Sequence, residues 1–72
     1  MAPGIKSDSL VTSYYGQDIY VEARQPEGGL AYVHLIEAGQ LPVLKRPDLG
    51  NHPTLDAALQ AGLRFATSLI DN

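Results

Sequence analysis

Side chains able to do chemistry are few in this chain and widely spread. Ser7, Ser9, Ser13 and Ser68 would be nucleophiles only with a base beside them, and His34 and His52 are the only imidazoles. His34 falls inside the apolar run Leu30 to Glu37 and reads as a core-edge or interface histidine rather than a general base. His52 lies between Asn51 and Pro53, where a loop residue is expected. Glu22 and Glu37 could pair across a sheet. Acid–base work also needs a cleft to perturb one pKa, and 72 residues leave little concavity. Cysteine is absent, which removes thiolate nucleophiles, disulfides and sulfur ligands for a metal. Gly28-Gly29 enters a strand rather than a helix, so it marks a turn and not a phosphate cradle. These residues define no catalytic centre, no metal site and no cofactor site.

Charge narrows the partners. The formal charge is −3, from eight acidic and five basic residues, which argues against binding nucleic acid through its phosphates. Lys45-Arg46 is the one adjacent pair of cations, and it reads as edge protection for a strand before it reads as a weak anion contact. No apolar run approaches the length of about 20 that crosses a bilayer, and MAPGIKSDS lacks the basic and apolar regions of a signal peptide. A cytoplasmic location without membrane contact is the expectation.

The elements that position these residues are read from periodicity. Residues 1–8 contain Pro3 and Gly4 among polar neighbours and are expected to be a flexible tail, with one domain over 9–72. Ser9 to Tyr15 is β-branched and aromatic and reads as a strand, and Gly16-Gln17-Asp18 as a tight connection. In the next strand Ile19, Val21 and Ala23 point one way, Tyr20, Glu22 and Arg24 the other. Pro26-Glu27-Gly28-Gly29 is the strongest turn signal. The strand from Leu30 to Glu37 is apolar on both faces. Pairing Gln25 with Leu30 puts Tyr32, His34 and Ile36 on the buried side; a one-residue change in the loop exchanges them for Ala31, Val33 and Leu35. Leu41 to Arg46 reads as a fourth, edge strand because Pro42 cannot donate to a ladder.

After the loop Pro47 to Pro53, Thr54 to Ile70 reads as an amphipathic helix. Thr54 is its N-cap, Asp56 complements its positive end, and Leu55, Ala58, Leu59, Gly62, Leu63, Phe65, Ala66, Leu69 and Ile70 share one side. Gly62 marks the expected closest approach to the sheet. The fold class is therefore α+β: an antiparallel three- to four-stranded β-meander with one C-terminal helix packed on one face.

One helix covers one face of the sheet. The other face, with Tyr14, Tyr15, Tyr20, Val33 and Leu35 as candidate contact residues, is richer in tyrosine and aliphatic side chains than a solvated face requires. A chain of this size also buries only about 60% of the surface its unfolded form exposes. Both points favour a non-catalytic interaction protein that forms a homodimer through the uncovered face, with another protein as the alternative occupant.

The frame Tyr15-Gly16, Ile19, Ala23, Gly29, then Thr54, Ala57-Ala58, Gly62 and Ile70-Asp71 resembles a group of small bacterial β-β-β-α proteins of unknown activity. This chain has Leu69 where that group tends to carry tryptophan. The resemblance implies the fold and no activity. The order of elements is also similar to the second part of a double-stranded RNA-binding domain, which makes a small RNA-binding module the alternative function. Where that domain carries a lysine cluster at the start of its terminal helix, this chain has Thr54, Asp56 and Gln60.

Overall fold

Alternation along Ile19 to Arg24 makes a strand with one greasy and one polar side, and the rest of the sheet assembles on either edge of it. The computed structural model describes residues 4–71. It contains β1 (Ile5–Tyr14), β2 (Gln17–Pro26), β3 (Tyr32–Ala38), β4 (Leu44–Lys45) and α1 (Leu55–Asp71). The strands form one antiparallel sheet in the order β1-β2-β3-β4, a meander, with α1 packed on one face. The α+β class read from the sequence is the architecture observed.

β1 begins earlier than expected. Residues 5–8, assigned above to a tail, pair with Pro26 to Ala23 of β2, because β2 runs on far enough to supply them with partners. Residues 1–3 of that tail lie outside the described residues. The β1–β2 loop is Tyr15-Gly16 rather than Gly16 to Asp18; both residues have positive φ, 50° and 75°, as a two-residue hairpin loop with the right twist requires. At the other end of β2 the turn is closed by the Gly29 N–H donating to the Pro26 C=O at 2.9 Å.

β3 resolves the register in neither of the two ways considered. Ala23 pairs with Val33 and Glu22 with Leu35, so His34 is an extra residue, a β-bulge. On the N-terminal side of the bulge the odd residues Ala31 and Val33 face the helix; beyond it the even residues Ile36 and Ala38 do. Tyr32 and His34 are consequently not in the core. Val33, expected on the uncovered face, is 1% exposed beneath the helix. Tyr14 is also displaced from that expectation: it packs against the core cluster from the helix side, and its hydroxyl donates to Asp71 at the end of α1, 2.9 Å from Oδ1. The fourth strand shrinks from Leu41–Arg46 to Leu44–Lys45, where Leu44 adds to the core.

α1 starts where its signals put it. Thr54 Oγ1 accepts from the Ala57 N–H at 3.1 Å, the expected N-cap bond. The incoming chain is held by Gln25, whose amide donates to the carbonyls of Gly29 and Pro53. Buried positions Ala58, Gly62 and Ala66 recur every fourth residue and form a ridge of small side chains against the sheet. The volume of the core comes from the other layer, in Ile19, Val21, Val33 and Ile36.

A Cβ at Gly62 would lie 2.6 Å from Val21 Cγ1 and 3.4 Å from Val33 Cγ2. Both valines are stiff at χ1 and enclosed, so neither can move aside freely. Gly62→Ala gains about 1 kcal/mol of helix propensity against about 1–3 kcal/mol of overpacking, and a net loss of about 1 kcal/mol is expected in denaturant unfolding. Gly62→Val should lose more. Thr54→Ala should lose about 1 kcal/mol through the cap alone.

Candidate functional site

The side of the sheet away from α1 is the surface left to examine. Register places its side chains in rows: Val11, Tyr20 and Glu37; Ser9, Glu22, Leu35 and Lys45; Ser7, Arg24 and Tyr32. Tyr20, Glu22 and Arg24 are spaced by two along β2, which brings them together on one face. The Tyr20 hydroxyl donates to Glu22 Oε1 at 2.9 Å, and Arg24 Nε donates to Oε2 at 3.1 Å, with Nη2 3.1 Å from the same oxygen in an ion pair. Each carboxylate oxygen thus has its own donor.

The charges follow from this geometry. Glu22 is held below its ordinary value of 4.5, chiefly by the Tyr20 hydrogen bond, opposed by partial burial and assisted by Arg24 and the His34 imidazole. Tyr20 is raised in turn, chiefly because its proton is shared with Glu22. Tyr14, on the other face, is raised by its hydrogen bond to Asp71.

The bulge carries a second feature. The His34 carbonyl accepts from the Arg46 N–H at 2.7 Å, and Arg46, with φ at 48°, lays its guanidinium 4.9 Å from the centre of the Tyr32 ring. His34 Nδ1 is enclosed without a hydrogen-bond partner. Lys45 stands opposite Leu35 at the short strand β4. The cations expected at a strand end are there, with Arg46 engaged by an aromatic face. An open concavity of about 290 Å³ beside it is lined by Tyr32, Arg46, Asp48 and Leu49 among others.

Of the candidate contact residues, Tyr20 and Leu35 are on the uncovered face, both half-buried. Tyr15 is 82% exposed at the hairpin tip, edge-on to Tyr14 with ring centres 4.6 Å apart. Tyr14 and Val33 belong to the helix side, as described. Ile5 and Val11, at 54% and 75% exposure, are further apolar residues on the uncovered side of β1 that sequence reasoning passed over. The signal for Val11 was present in the β-branched run Val11-Thr12; that for Ile5 was masked by its polar neighbours.

The candidate chemical groups do not converge. His52 is tied down locally, with backbone bonds to Ala31 and its Nε2 3.1 Å from the Leu49 carbonyl. Among the described residues no group of three or more His, Cys, Asp or Glu side chains is placed to hold a metal ion. No helix among them is long and apolar enough to cross a membrane. Compared with known proteins, the chain matches no family model, no curated protein and no solved structure.

Two measurements check this surface. Because Glu22 is depressed in the fold, it contributes stability above its unfolded value, and that contribution fades as pH falls below about 4.5 through the folded value. Tyr20→Phe should move the Glu22 carboxyl titration, followed by NMR, upward toward 4.5; no movement would show the hydroxyl bond to be absent in solution. A tyrosine in the left-handed region costs about 1–2 kcal/mol relative to residues suited to it. Tyr15→Asn should therefore raise stability by about 1 kcal/mol in thermal or denaturant unfolding.

Proposed function

We propose that the protein is a non-catalytic interaction protein that self-associates through the side of the sheet its helix leaves uncovered. One observation carries this reading: Ile5 and Val11, two of the large apolar side chains left exposed, lie on the uncovered side of β1, and the strand ends in the exposed Tyr15. Singly exposed apolar residues need no explanation; here two stand on one edge strand, with Ser7 and Ser9 between them, and a third in its turn. Tyr15 adds a separate argument. It occupies a strained backbone position that asparagine would fill at lower cost, and strain retained at an exposed aromatic points to a contact. The centre of the face supplies residue types enriched in protein interfaces, with Tyr20, Arg24 and Tyr32 already fixed by neighbours and losing little freedom on contact.

The RNA-binding alternative is supported by the row Arg24–Tyr32–Arg46, an aromatic ring between two guanidinium side chains. It stands second because Glu22 already engages Arg24 and the net charge is negative.

Light scattering over a micromolar concentration series should give a mass above the 7.7 kDa of one chain, and Val11→Lys should lower it toward that value. A mass of 7.7 kDa throughout would overturn self-association. Binding to duplex or single-stranded RNA that weakens steeply with salt would instead favour the alternative.

A further inference from the structure

The two edges of the sheet differ. β4 is two residues long and is closed off by Pro42 before it and Pro47 after it, so little of its backbone can pair. β1 is ten residues long, free of proline and bulges, and has a neighbour on one side only.

Which of its backbone groups are free follows from the hairpin. The residues flanking a two-residue loop bond to each other, so Tyr14 and every second residue before it turn their N–H and C=O groups to β2. Ser13, Val11, Ser9 and Ser7 turn theirs outward. Two bonds agree with this phase. Asp18, the register partner of Ser13, uses its carbonyl on the β3 side to accept from the Gly39 N–H, and the Ser9 N–H donates to the Asp8 side chain at 2.8 Å instead of to a strand.

We propose that this free edge takes up β1 of a second copy, antiparallel, about a two-fold axis through Leu10, joining two four-stranded sheets into one continuous sheet with both helices on the same face. The inference rests on the self-association proposed above and sets its seam at the β1 edge, beside Ile5 and Val11, rather than across the middle of the uncovered face.

The register is argued from side chains. A two-fold axis normal to the sheet pairs residues of like face, so it must pass through a residue rather than between two. An axis at Leu10 sets Ser9 against Val11 of the second copy and Ser7 against Ser13, using every outward backbone group in that span. It brings the half-buried Leu10 side chains together, extending the core across the seam. Exposed Ile5 then meets exposed Tyr15. Lys6, with no ion pair among the described residues, falls opposite Tyr14, whose hydroxyl holds the carboxylate of Asp71. Cation and carboxylate so meet twice by symmetry. Asp8 gives up the Ser9 N–H and lies opposite the Thr12 hydroxyl. An axis at Ser9 would set Asp8 against Leu10 and leave Lys6 against Thr12, a charge facing an apolar side chain with no ion pair gained.

Sedimentation equilibrium with the full chain tests this. Wild type should approach twice 7.7 kDa. Ser9→Pro removes an outward N–H, a change an edge strand tolerates, and should give a monomer with an unchanged circular dichroism spectrum. Lys6→Glu should weaken the dimer at least about tenfold, and Lys6→Glu with Asp71→Lys should restore it, which a merely folding-related loss would not do. A dimer indifferent to Ser9→Pro and Lys6→Glu but lost in Leu35→Lys would overturn the edge seam while leaving self-association standing. A wild-type mass of 7.7 kDa up to about 1 mM would overturn both.

Discussion

The closeness of α1 to the sheet at Gly62 governs the rest of the fold. With two valine side chains where its Cβ would stand, the helix axis sits nearer the strands than any larger residue would permit. Ala58 and Ala66, one turn to either side, keep that separation along the helix. A core of this kind is filled from below, by Ile19, Val21, Val33 and Ile36 reaching up into a shallow helix face. Of the larger helix residues Leu59 is buried in the cluster, while Leu55, Leu63, Phe65 and Ile70 pack at its rim, where they are only partly covered. Seventy-two residues without cysteine can enclose an apolar centre by this means.

Much of this was legible in the sequence because it is local. Thr54 as cap, the apolar side of the helix, the alternation of β2 and the Pro26 to Gly29 turn are all decided within a few residues, and each appears where its signal stands, while the first glycine turn moves to Tyr15-Gly16. What was not legible is non-local. Ile5 to Asp8 has a weak β pattern and is a strand because β2 offers it partners. Leu41 and Pro42 fail to be strand because the proline lacks the donor that pairing with β3 would need. The contact residues divided along the same line: Tyr20 and Leu35 followed simple alternation, while Val33 was moved across the sheet by a bulge and Tyr14 by its place in the hairpin.

The uncovered face has a character of its own. Its centre is a set of hydrogen bonds around Glu22, with the Tyr20 hydroxyl and one edge of the Arg24 guanidinium engaged by the carboxylate. Such a centre presents ring faces and aliphatic stems more than free charge, which suits contact with another folded surface better than capture of a small ion. Part of its apolar exposure, Ile5 and Val11, lies at the β1 margin, next to the outward backbone groups of an edge strand. The proposed association therefore has side-chain and main-chain grounds at the same border.

The bulge at His34 has a consequence for how such a chain can vary. Substitutions in β3 act one position at a time, and a polar residue at the bulge itself is accommodated beside Glu22. Removal of a single residue there is a different event. Removing the extra residue would restore a strict two-residue period with Ala31, Val33, Ile36 and Ala38 all still facing the helix. The extra residue is therefore not demanded by the core, and the length of β3 can change at the bulge while its buried side chains stay in place.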